Sequence, residues 1–121
     1  MDNKETKVKD RTEEDLIKDF KFIQAICLSI YKEKTSDYGN SFDDSMNKLG
    51  LFYAVGRLHD KVNRVINLCK KGEECTEVKD ESIDDTLLDL ANYAIMTLSY
   101  RYAKRGQLFT PNSVLFTPDK E

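Results

Sequence analysis

Three stretches of this chain carry apolar residues at alternating spacings of four and three, and no stretch carries the two-residue alternation of a half-buried strand. That periodicity restricts the fold to helices packed along apolar stripes. Leu16, Phe20, Ile23, Cys27 and Ile30 define the first stripe. Thr12 followed by Glu13, Glu14 and Asp15 marks its start, because a hydroxyl accepts from the unpaired N–H groups of a first turn and carboxylates favour its positive end. The spacing predicts a helix from Thr12 to near Lys34, with Phe20 and Phe22 in the core.

Thr35 to Asp44, TSDYGNSFDD, is dense in turn formers around Gly39 and reads as a polar loop suited to holding a ligand. Leu51, Val55, Leu58, Val62, Val65 and Cys69 then run one stripe through a second helix, Asp44 to Lys71. Gly50 and Gly56 weaken that helix, or mark a break or a close crossing. A third helix is expected from near Ser82 to Arg105, stopped by Gly106, with Ile83, Leu87, Leu90, Ala91, Ala94 and Leu98 on its apolar arc. The expected architecture is all-α: a bundle of three to four helices over 12–106, a charged N-terminal arm over 1–11 and an extended tail over 107–121. In the tail, Leu-Phe-Thr-Pro occurs twice, seven residues apart. Apolar side chains between prolines favour an extended arm packed on its own bundle or on a partner.

At 121 residues the chain suits one domain, and 40% hydrophobic residues supply a core without staples. A net charge of -3, from 19 basic and 22 acidic residues, argues against direct, sequence-independent DNA binding. No apolar run approaches the roughly 18 residues of a membrane span, so a soluble, cytoplasmic protein without membrane partners is expected. Cys27, Cys69 and Cys75 form no CxxC pair, which argues against a disulfide framework or a zinc site. His59 is the one histidine, lies at the edge of an apolar stripe and lacks a nucleophile motif beside it.

Chemistry concentrates on the last two helices. Glu81, Asp85, Asp89 and Asn92 share one strip of the third helix, and no lysine or arginine lies between Asp80 and Tyr100 to balance them. Stacked carboxylates repel one another unless a cation sits against them, whether a divalent metal or basic groups of a neighbouring helix. Arg57, Lys61 and Arg64, with Asp60 among them and Tyr53 and Asn67 beside them, lie opposite the apolar stripe of the second helix. Either strip alone could be a solvated face. Set against each other, the two divide the work a phosphate ester needs, basic groups on phosphate oxygens and carboxylates on magnesium.

DYGNSF at Asp37 to Phe42, GRLHDKVNRVINL at Gly56 to Leu68 and ESIDDTLLDLANYAI at Glu81 to Ile95 resemble, in that order, the phage and bacterial nucleotide-modification-associated domain 1 family. That family is a distant relative of the all-α NTP pyrophosphatases that include MazG and dimeric dUTPases. The resemblance implies a homo-oligomer with nucleotide pockets between helices, in the host cytoplasm if phage-encoded. In the pyrophosphatases, acidic EExxE and ExxD motifs hold magnesium. Here Lys61 and Arg64 replace the first motif's further carboxylates around Asp60, and Asp85 lies four residues before Asp89 instead of a Glu at three. Such a change trades metal-mediated phosphate binding for direct binding.

The leading expectation is therefore a phage-type protein that binds or sequesters a phosphate-bearing nucleotide between helices, a defence signal being one candidate. Arg57, Lys61 and Arg64 take the phosphates, Tyr38 or Tyr93 stacks, and Ser41 and Asn92 complete the site. Asp85 and Asp89 take one magnesium ion or contact base and ribose. The second expectation is a magnesium-dependent NTP pyrophosphohydrolase with Asp60, Glu81, Asp85 and Asp89 as ligands. The third is a non-catalytic bundle that docks a partner through Phe109 and Phe116.

Overall fold

The computed structural model describes residues 7–70 and 77–106, with the side chains of Tyr38 and of 77–81 outside that description. Four helices and no strand occur among the described residues: α1 Glu13–Tyr38, α2 Ser41–Leu49, α3 Leu51–Lys70 and α4 Glu77–Lys104. The all-α expectation holds. No described helix is long and apolar enough to cross a membrane. The expected tail, with Phe109 and Phe116, lies outside the described residues, as does Cys75. Cys27 is a buried thiol and Cys69 an exposed one.

The chain divides into two compact units at Gly39. The first contains α1. Its start matches the expectation: the Thr12 hydroxyl accepts from the Asp15 N–H at 3.0 Å, and the Asp15 carboxylate accepts from the Thr12 N–H at 3.2 Å. This reciprocal box satisfies two orphan donors at once. The helix continues past Lys34 to Tyr38, beyond the expected end, because Thr35, Ser36 and Asp37 are weak helix formers rather than stops. Gly39 is the stop, at φ 67°, where a side chain would be strained. Phe20 and Phe22 are 67% and 65% exposed, which corrects their placement in the core.

The second unit contains α2, α3 and α4, in mutual contact. The expected loop extends only to Asn40. Serine and paired aspartates, read there as turn formers, open α2 instead, where Asp43 and Asp44 meet the positive end of the helix. Gly50, at φ 80°, separates α2 from α3 and donates its N–H to the Met46 carbonyl at 2.8 Å. Of the readings offered for Gly50 and Gly56, the break is realised at Gly50 alone. Gly56 lies inside an unbroken α3, and a Cβ there would meet nothing within 4 Å, so it marks no close crossing.

Helices α3 and α4 run antiparallel. Ala54, Met46, Thr86 and Thr97 are buried, and Leu58, Val65, Leu90 and Tyr93 are half-buried. The buried hydroxyls are satisfied inside α4, Thr86 donating to the Ser82 carbonyl and Thr97 to the Tyr93 carbonyl, each at 2.6 Å. Tyr100 ties α4 to α2 by donating to Asn47 Oδ1 at 2.6 Å. The α3 stripe is turned differently from the simple expectation. Leu51, Val55 and Val62 stay exposed, and so do Leu87, Ala94 and Leu98 of the α4 arc. The face of α3 that meets α4 mixes the two, with Ala54, Leu58 and Val65 beside Arg57 and Lys61.

Candidate functional site

Along α3, Arg57, Lys61 and Arg64 advance by four residues and then three. Along α4 their partners, Tyr93, Asp89 and Thr86, retreat by the same steps. Each cation therefore meets one α4 side chain across the antiparallel pair. Arg57 donates from Nη2 to the Tyr93 hydroxyl at 2.7 Å, Lys61 Nζ lies 3.3 Å from Asp89 Oδ2, and Arg64 donates from Nε to Thr86 Oγ1 at 3.1 Å. Of the carboxylates of the acidic strip, Asp89 alone among the described side chains meets a cation of the basic strip; Tyr93 and Thr86 take the other two, and the three contacts form a polar seam.

Tyr93 occupies one end of the seam between two cations. The Arg57 guanidinium carbon lies 5.0 Å and Lys61 Nζ 6.0 Å from its ring centroid, within reach of a cation–π attraction. Phe42 of α2 packs on the same ring at 6.2 Å and on Tyr53 at 5.8 Å, both tilted, which places an aromatic wall behind the cations. The hydrogen bond to Tyr93 holds the Arg57 guanidinium above its ordinary pKa, outweighing the burial that lowers it. Arg57 Nε is buried without a hydrogen-bond partner among the described residues, an unmet donor inside the seam.

Arg64 is held differently. Thr86 engages only its Nε, and the hydroxyl passes its own proton to the Ser82 carbonyl. Both terminal nitrogens remain free of hydrogen bonds among the described residues, and Arg64 lines a cavity of about 330 Å³ together with Asp60, Asn63, Asn67 and Leu68. A guanidinium fixed at its base with its fork open is arranged for bidentate contact with a phosphate or carboxylate. The amides of Asn63 and Asn67 add donors and acceptors to the same wall. Asn63 also lies 3.4 Å from His59 Nδ1, which leaves the exposed histidine in a polar contact.

The other expected residues are distributed around this centre. Asp85 is exposed on α4, and Asn92 is half-buried beside Tyr93. Ser41 is exposed at the first position of α2. The side chains of Tyr38 and Glu81 lie outside the described residues. No group of three or more His, Cys, Asp or Glu among the described residues is placed to hold a metal ion, and the ammonium of Lys61 sits against Asp89. Of the four carboxylates expected to hold magnesium, Asp89 is engaged by Lys61, and the Glu81 side chain lies outside the described residues.

Sequence reasoning did not single out Thr86 or Asn63. Thr86 carries a signal in hindsight: it precedes Asp89 by three residues, on the strip that faces α3.

This arrangement sits wholly inside the stretch that matches a known family model. Residues 34–99, more than half of the chain, match the model described as nucleotide modification associated domain 1. The chain belongs to that family. Helices α2 and α3, and α4 as far as Ser99, fall within the family match, so Arg57, Lys61, Arg64, Thr86, Asp89 and Tyr93 are all family-domain residues. No curated protein and no solved structure matches the chain.

Proposed function

We propose that this protein binds a phosphate-bearing nucleotide along the α3–α4 seam, with Arg64 as the phosphate anchor. The observation that carries the reading is the Arg64 guanidinium, fixed through Nε by Thr86, with no hydrogen bond to its terminal nitrogens among the described residues, on an arginine that lines a polar cavity. The family description adds a nucleotide-related role. Asn63 and Asn67 contact ribose or the base edge, and Asp60 accepts from a ribose hydroxyl or an exocyclic amine. Arg57 and Lys61, engaged by Tyr93 and Asp89, supply positive potential at the seam. The protein holds its ligand and acts as a sink for it; a signalling nucleotide of phage defence is one such ligand. No step of this reading passes through a metal.

Calorimetry and thermal shift against NTPs, dNTPs and cyclic nucleotides, each with and without magnesium, test it directly. A bound nucleotide raises the melting temperature by mass action, and chromatography returns it intact. Arg64→Ala weakens binding by about tenfold or more, and Arg64→Lys does not restore it, since an ammonium lacks the fork. Absence of stabilisation by any nucleotide overturns the reading. Recovery of monophosphate and pyrophosphate replaces it with the pyrophosphohydrolase, whose magnesium requirement the paired conditions then expose.

A further inference from the structure

One face of α4 stays open after α2 and α3 have packed. Along it run Asp84, Leu87, Ala91, Ala94, Leu98 and Arg101, at spacings of three, four, three, four and three. At about 100° per residue these six positions fall on a single arc. Apart from the half-buried Ala91 they are exposed, Leu87 at 46% and Leu98 at 51%. The order reads the same from both ends, with alanine inside, leucine next and a charge outermost. The two terminal charges are opposite. Neither Asp84 nor Arg101 makes an ion pair or a side-chain hydrogen bond among the described residues.

We propose that this face is where a second copy of the chain docks, α4 against α4 in antiparallel orientation, about a two-fold axis between Ala91 and Ala94. An isologous contact requires a surface complementary to its own reversed copy. This arc meets that requirement position by position: Leu87 faces Leu98 of the second copy, Ala91 faces Ala94, and Asp84 faces Arg101. The symmetry repeats each contact twice. Alanines at the crossing allow a close approach of the helix axes, at the short end of the usual 8–10 Å. On α3, Val55, Val62 and Ile66 are 46%, 41% and 45% exposed and broaden the apolar surface beside the arc. The charges set register and orientation more than affinity, as exposed ion pairs do. The inference is independent of the nucleotide reading, because none of these residues belongs to the seam.

The test is the association state of the full-length chain by sedimentation velocity over a concentration series, with no nucleotide present. The wild type is expected to form a dimer. Leu98→Glu, which buries two carboxylates at the interface, is expected to give monomer. Asp84→Lys and Arg101→Glu each turn two attractive contacts into two repulsive ones, so each raises the dimer Kd by about tenfold or more. In an equimolar mixture of these two variants, each heterodimer holds one wild-type ion pair and one pair with its charges exchanged. Both pairs attract, so the mixture recovers a heterodimer of wild-type affinity. The double reversal Asp84→Lys/Arg101→Glu, with both changes on every chain, recovers a homodimer. Circular dichroism on each variant confirms that its helices are kept. A wild type that stays monomeric overturns the proposal. A dimer indifferent to both reversals, or a mixture that does not recover, overturns it as well.

Discussion

Tyr93 receives Arg57 in two ways, through its hydroxyl at 2.7 Å and through its ring at 5.0 Å, and so fixes a guanidinium whose Nε is buried without a partner. One arginine is held at the edge of the core by one tyrosine. Replacing Tyr93 by Phe keeps the ring and removes the acceptor, which leaves a charged donor in the seam with no recipient. Stability is expected to fall by about 1 kcal/mol, read as a lower urea midpoint at unchanged slope. An unchanged midpoint would show that solvent already serves Arg57.

Lys61 and Asp89 are 23% and 26% exposed, so their ion pair is less screened than a pair in open water. A double-mutant cycle, Lys61→Ala, Asp89→Ala and both, is expected to return a coupling of about 0.5–1 kcal/mol that shrinks as salt is added. A coupling near zero at low salt would separate the two residues in solution.

Glycines 50 and 56 are expected to respond in opposite directions to alanine. Gly56 lies in the interior of α3 with open space at its Cβ, so Gly56→Ala stabilises by about 0.5–1 kcal/mol. Gly50 has φ 80°, and Gly50→Ala costs about 1 kcal/mol or more despite equal room, because the strain is in the backbone. Thermal melts of the two single variants decide the matter; a shift in the same direction for both contradicts the assigned break.

The capping box at Thr12 makes a local prediction. Thr12→Ala removes the acceptor for the Asp15 N–H and costs about 1 kcal/mol of α1 stability. Amide exchange is the suitable readout: protection is expected to fall in the first turn of α1 and to stay unchanged in α3 and α4. Equal loss throughout the chain would mean that α1 and the second unit open together.

Local physics accounts for most of the secondary structure. Thr12 starts α1 because its hydroxyl has orphan N–H groups to satisfy, and Gly39, Gly50 and Gly106 end helices because each adopts a positive φ. Such causes act within a few residues and can be read along the chain. The short α2 was less legible, since serine and aspartate serve equally in turns and in first helical turns.

The helical periods, the start of α1 and the two polar strips of α3 and α4 were legible in the order of residues; the end of α1 and the short α2 were not. Which face of each helix turns inward was settled by packing. Periodicity separates a helix into faces without naming the neighbour of either, and in α3 it is the face with Ala54, Leu58 and the cations that met α4, while Val55 and Val62 stayed open. The register was equally long-range: one antiparallel offset matched Arg57 with Tyr93, Lys61 with Asp89 and Arg64 with Thr86 together. Pairings between residues more than twenty positions apart depend on how two surfaces fit, and no window along one helix contains that information.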